Sequence, residues 1–333
     1  MVEHRLNEYF LGSHLKSENE RVEYHNIRSI DVANMNCIFD ALKRLGDFDS
    51  YCSLYEMCEK NYQSVISCHS AIKDVFPSNR NRKYEYIDEC SQEITRLLLN
   101  YLSSFITFYS HLYTKYKRLK RKGYDFFKDY ERITSACYDG SFPYRFFYKF
   151  RNYAQHCGLP PIEMLIHEQL TQDGNVDIYV SISLLRDSLL RSYEEWGEKV
   201  KADLQNQPEH IELIPYLNVF QSQIELINHS VAGFEIPHTA NSWQIIWEIV
   251  DEAYLQYPNA VPFIGQYKNR DSGQPNFSII YFPIHRMLKF EGKSHISSNP
   301  EYSNVKSILS KIKSNSENYV AINDYVDIRQ INK

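Results

Sequence analysis

Apolar residues recur at helical spacing from Val32 to Val75: Ile38, Leu42 and Leu45, then Leu54, Met57, Tyr62, Val65 and Ile66. The pattern predicts two helices, interrupted near Gly46-Asp47, where a residue without a side chain meets a turn former. The polar run Pro77 to Lys83 predicts a loop. Beyond it, Ile94, Leu97, Leu98, Tyr101, Leu102, Phe105, Phe108, Tyr109 and Leu112 form one stripe, which predicts a long helix over Tyr86 to Lys122 ended by Gly123.

Asp139-Gly140 is the next break. Ser141 is placed to cap a helix with Pro143 in its first turn, running through SFPYRFFYKFRNYAQHCG to Gly158, with Pro160-Pro161 just beyond. The period then changes from helical to alternating. Ile162 to Leu170 and Val176 to Ser183, joined by Asp173-Gly174-Asn175, predict a β-hairpin. Helical spacing returns over Leu184 to Leu204 and Ile211 to Val231. Beyond Gly233, an amphipathic helix is predicted over Ser242 to Tyr257 with Trp243 and Trp247, then a strand over Phe277 to Phe282. The polar tail Lys306 to Lys333 has weak helical character.

These elements describe a mostly α chain: a helical bundle with an inserted β-hairpin and a C-terminal mixed α/β extension. The expected division is a helical N-terminal region over 1–85, the bundle over 86–234 with its hairpin at 162–183, and a mixed region over 235–333. No internal repeat or low-complexity segment interrupts it.

Composition narrows the setting. The start of the chain, Met1 to Phe10, lacks the basic-then-apolar pattern of a secretory signal. The most apolar long run, Leu97 to Tyr113, contains Asn100, Ser103, Ser104, Ser110 and His111, so it reads as a buried helix and no membrane partner is expected. Seven cysteines without a CxxC pair fit reduced thiols, and a cytoplasmic location is expected. The net charge of −5 hides a local excess. Between Arg80 and Pro160 there are 15 Lys or Arg against 8 Asp or Glu. Such a block suits a phosphate-binding face or a solvated helix face, and cations near residue 120 also suit the negative pole of the long helix.

One motif carries chemistry. Arg151-Asn152-Tyr153-Ala154-Gln155-His156 places an Arg, an adjacent Asn and a His at the end of a predicted helix. It resembles the signature of the HEPN superfamily, in which an Arg, a polar residue and a following His sit at the end of a bundle helix. The likeness covers this motif and its helical context, from about residue 86 to 231. It implies a HEPN-like bundle and a metal-independent RNA endonuclease, acting as a toxin or defence effector, with Arg151, Asn152 and His156 as catalytic residues. The ribose 2′-OH would attack the neighbouring phosphate, leaving 2′,3′-cyclic phosphate and 5′-OH ends. The chemistry suits the residues. Histidine moves protons near neutrality, and arginine offers a permanent charge and a planar donor fork to phosphate oxygens. Asn152 and His156 share a helix face, whereas Arg151 is five residues from His156 and points off that line. Family members answer this by pairing two protomers about a twofold axis, so a homodimer or higher oligomer is implied.

Lys115, Lys117, Arg118, Lys120, Arg121 and Lys122 are the candidate RNA-binding residues. No metal or cofactor is called for. An antitoxin or regulatory protein is a further partner the resemblance suggests. In family toxins silenced by nucleotidyltransferase partners, a Tyr two residues after the His is modified; here that position is Gly158, so that regulation is not carried over. The rival function is a non-catalytic helical interaction module.

Other constellations have plainer readings. His167-Glu168 falls on the exposed face of a predicted strand. Cys52, Cys58, Cys68 and His69 lack metal-ligand spacing. His229 and His238 have no evident partner in sequence. Tyr144, Phe146, Phe147, Tyr148 and Phe150 read as packing residues, with base stacking open to one or two of them. No GxxxxGK[ST], GxGxxG or HExxH occurs, so NTP hydrolysis, dinucleotide binding and zincin chemistry lack support.

Overall fold

Long amphipathic stripes become long helices in the computed structural model, which describes residues 9–16, 22–258, 260–269 and 276–282. Two compact units divide the chain: Ser50–Val231, and a second joining Met1–Asp49 with Ala232–Lys333. The division falls inside two 44-residue helices, α1 (Val32–Val75) and α7 (Leu213–Gln256).

The unit spanning Ser50–Val231 holds the rest of the helices. A 3₁₀ segment, Phe76–Arg82, occupies the expected loop and leads into α2 (Lys83–Lys120). There follow α3 (Phe126–Gly140), α4 (Phe142–His156), α5 (Arg186–Ser192) and α6 (Glu198–Gln205). Their shared core is aromatic. Phe105 of α2 meets Tyr144 of α4 and Phe220 of α7 at ring-centroid distances of 5.9 and 4.8 Å, and Phe147 meets Phe220 at 5.1 Å. A polar seam runs beside it. Tyr51 donates to Asn228 of α7, Tyr62 to Asn218 at 2.8 Å and Tyr101 to Gln221 at 2.8 Å. These three hydroxyls thereby find partners on α7.

The expected hairpin is present. In chain order it is β3 (Ile162–Leu170) and β4 (Val176–Leu185), antiparallel, with β5 (His210–Glu212) on the far side of β4. Met164, Ile166, Ile178, Val180 and Ile182 face inward, as the alternation requires. The hairpin is tied to its surroundings by His69 Nε2, which donates to Val180 O at 3.2 Å, and by the ion pair of Arg80 with Glu168 at 2.8 Å.

In the other unit, β1 (Tyr9–Lys16), β2 (Val22–Ile30), β6 (Val261–Asn269) and β7 (Asn276–Tyr281) form an antiparallel sheet in the order β2-β1-β6-β7. Phe10 and Phe263 lie across Gly265 and Gly12. A Cβ on Gly265 would fall 2.1 Å from the Phe10 ring, so only glycine admits this ring there.

Several expectations are corrected. Tyr9–Lys16 and Val22–Ile30 are paired antiparallel strands, so the region 1–85 is not all helical. Strand pairing of β1 with β6 joins the first region to the last, where three consecutive regions were expected. Helix α1 runs unbroken through Gly46, because Ala41, Leu45 and Phe48 continue one buried stripe on both sides of it. Burial of that stripe outweighs a glycine cost of about 1 kcal/mol. For the same reason α7 passes through Gly233, with Val231, Ala232, Glu235 and Thr239 all buried. The stretch Leu184 to Leu204 is not one helix: β4 continues to Leu185, and Gly197 at φ +78° separates α5 from α6. The tail 306–333 lies outside the described residues.

Candidate active site

Helix α4 carries the motif, and its ends are well defined by sequence. Ser141 Oγ accepts from the Tyr144 amide at 3.3 Å, Pro143 occupies the first turn, and no β-branched residue falls within Phe142–His156. At the far end the Cys157 amide donates to Tyr153 O at 2.8 Å, and Gly158 follows at φ +130°. That backbone conformation favours glycine and turns the chain out of the helix.

Helix α4 is held in two places. Near its start, the buried Arg145 donates through Nε to the Asp203 carboxylate and through Nη1 to Tyr138 O and Asp139 O at 3.2 and 3.3 Å. It thus closes the C-terminal carbonyls of α3 and pairs with α6. Near its end, Trp196 lies almost parallel to Phe150 and Tyr153, at interplanar angles of 11° and 14°. The indole N–H donates to Leu189 O at 3.1 Å. Burial also pushes the Tyr153 hydroxyl up from its ordinary titration range.

The motif side chains, nearer the end of the helix, are less enclosed. Arg151 and Asn152 are half-buried and hydrogen-bonded to each other, Nη1 to Oδ1, at 3.4 Å. Arg151 Nε is out of reach of water and has no hydrogen-bond partner, and no carboxylate pairs with this guanidinium among the described residues. His156 is the exposed last residue of α4 and makes no hydrogen bond to Arg151 or Asn152. The structure therefore brings Arg151 and Asn152 together and leaves His156 one helical turn beyond Asn152. Around the helix axis Arg151 and His156 stand about 140° apart, so one copy of the motif does not converge on one point.

A contrast between two arginines on this helix defines the site's electrostatics. Arg145 has a carboxylate and two carbonyls; Arg151 has one weak amide contact. A half-buried cation without a counter-ion raises the local potential and favours an anionic ligand.

The basic cluster sits on another helix. Lys117 Nζ lies 5.2 Å from the Tyr113 ring centroid, and Lys120 Nζ lies 4.9 Å from that of Phe127. Lys115 is half-buried beside Tyr116. Arg118, Arg121 and Lys122 are exposed and form no ion pair among the described residues. Among the described residues no hydrogen bond or ion pair joins these side chains to Arg151, Asn152 or His156.

Of the residues given plainer readings, Glu168 is the partner of Arg80 and His167 Nε2 lies 3.4 Å from Ser181 Oγ on the outer sheet face. His229 Nδ1 donates to Glu225 O at 2.8 Å within α7. Burial pushes the Cys58 thiol up to about 12 and also raises Cys68. Among the described residues no group of three or more His, Cys, Asp or Glu is arranged to hold a metal ion, and no helix is long and apolar enough to cross a membrane.

Trp196, which sequence reasoning did not single out, packs against the motif's helical turn. Tyr148, one of the aromatics read as packing residues with base stacking open, stands one turn before Asn152 and meets the Tyr109 ring of α2 at 5.3 Å. The four-residue step from Tyr148 to Asn152 to His156 was the available signal. No family model, curated protein or solved structure matches the chain.

Proposed function

We propose that the chain is a metal-independent RNA endonuclease of HEPN type, working as a toxin or defence effector. The observation that carries this reading is the uncompensated guanidinium of Arg151, bonded to Asn152 and followed one turn later by the exposed His156. The buried structural arginine of the same helix, Arg145, does find a carboxylate. Arg151 instead keeps its donors for a ligand, and the order Arg-Asn-x3-His is that of the HEPN signature.

In the proposed reaction Arg151 holds a phosphate oxygen and stabilises charge as the 2′-OH adds to phosphorus. His156 moves the proton, either from the 2′-OH or to the departing 5′-oxygen, and Asn152 orients the phosphate. Two protomers about a twofold axis supply both motif copies to one cleft, which answers the angular offset between Arg151 and His156. An antitoxin or regulatory protein would restrain the activity in its host.

The test is cleavage of RNA by the purified protein, with product ends analysed. Wild type should leave 2′,3′-cyclic phosphate in the presence of EDTA, and His156→Ala should not. An intact substrate under all conditions would favour a non-catalytic interaction module. Growth arrest on expression, relieved by His156→Ala, carries the same contrast into cells.

A further inference from the structure

The motif and the basic cluster lie on different helices, yet a continuous line of side chains joins them. On α4, Tyr148, Asn152 and His156 follow one another at four-residue steps and so share a face. On α2, Tyr109, Tyr113 and Lys117 do the same, and Arg121, still in helical conformation at the C-cap, continues the step. The contacts confirm the alignment along α2. The Tyr109 and Tyr113 rings are nearly parallel, at 15° and 6.5 Å, and Lys117 Nζ lies over Tyr113, 3.5 Å from its hydroxyl. The two lines meet where Tyr109 and Tyr148 pack edge to face at 5.3 Å. Tyr109, Tyr113, Tyr148 and Asn152 are half-buried, while Lys117, Arg121 and His156 are exposed.

We propose that this line is a binding track for single-stranded RNA, running from Arg121 and Lys117 over Tyr113, Tyr109 and Tyr148 to His156. The proposal rests on the RNase reading for its direction, since the track ends at the scissile position. Its ligand class follows from the chemistry of the line itself. Cations at one end and the unpaired guanidinium of Arg151 at the other suit phosphates. Partly open tyrosine rings between them suit bases whose faces are free, which duplex RNA does not offer. At helical rise the α2 portion from Tyr109 to Arg121 is about 18 Å long and the α4 portion from Tyr148 to His156 about 12 Å, room for several nucleotides. An anionic membrane is the weaker fit to the cations. Among the described residues the only large apolar side chain exposed near this end of α2 is Tyr124, and interfacial binding needs apolar anchors.

The experiment measures binding, so that cleavage does not enter. His156→Ala protein is titrated with a fluorescent single-stranded RNA 12-mer, with the same sequence as a duplex, and with vesicles containing phosphatidylserine, each over a range of salt. Single-stranded RNA should bind tighter than duplex or vesicles. Tyr113→Leu should weaken it by roughly tenfold without changing the salt slope, whereas Tyr113→Phe should bind as the parent does. Lys117→Gln with Arg121→Gln should lower the slope of log K against log salt by about 1.4. Circular dichroism of each variant checks that the fold is kept, and the phenylalanine variant separates a ring's role from the hydroxyl's. Equal affinity for duplex, preference for vesicles, or unchanged binding by Tyr113→Leu overturns the track. RNA cleavage by wild type with an insensitive Tyr113→Leu would sink the track and spare the nuclease. Track-dependent binding without cleavage by wild type would do the reverse.

Discussion

Two arginines six residues apart on one helix make opposite predictions. Removing Arg145 leaves the Asp203 carboxylate and two helix-end carbonyls without their donor. Arg145→Ala should therefore lower the unfolding free energy by about 3 kcal/mol in urea denaturation. Arg151→Ala removes a half-buried cation that has no counter-ion among the described residues, so stability should stay within about 1 kcal/mol of wild type or rise. Equal destabilisation by both would make Arg151 a structural residue and take away the main support for an anion site. For the proposed reaction, His156→Ala should reduce turnover by roughly 10²–10⁴-fold with stability unchanged, because the side chain is exposed and bonds to nothing among the described residues. Wild-type turnover by that variant would move the chemistry elsewhere. At this scale the sequence was legible for identity and silent on environment. Arg151 and Arg145 look alike in a string of letters; only packing shows that Asp203, fifty-eight positions away, reaches one and not the other.

Elements were read well where a periodic stripe met a strong stop. Helix α4 has its Ser141 cap, its Pro143 and its Gly158 where the sequence places them, and the β3–β4 hairpin alternates as expected. Readings failed where a local breaker opposed tertiary burial. Gly46 and Gly233 each lie inside a helix because the buried stripe on either side gains more than the glycine loses. The segment after β4 failed in the other direction. Its apolar spacing is helical, but Tyr193 and Trp196 turn inward onto α4 in a non-helical stretch, which no local pattern announces. That stretch should be sensitive. Trp196→Ala would open a cavity under Phe150 and Tyr153 and cost about 3–5 kcal/mol, read as a lower midpoint in urea. Trp196→Phe should recover most of it. Small losses in both variants would mean that the motif's last turn is held by something other than this ring.

Across the whole chain, the pairing of β1 with β6 was invisible in sequence, since nothing local in Tyr9–Lys16 names a partner about 250 residues away. Assembly is the corresponding question between chains. In one protomer Arg151 and His156 diverge around the α4 axis, so the proposed chemistry asks for a second copy of the motif. Light scattering should then give at least twice the 39.5 kDa of one chain. Stoichiometry alone does not show a shared site, so activity must be read from mixed assemblies. If each cleft uses both copies of His156, random pairing of wild type with an equal amount of His156→Ala leaves only about one quarter of the dimers intact. Specific activity should fall to that fraction. If each protomer works alone, half the activity survives. A linear dependence of activity on the wild-type fraction would reject the composite cleft even for a protein that is a dimer, and would require Arg151 and His156 to reach one phosphate from a single helix.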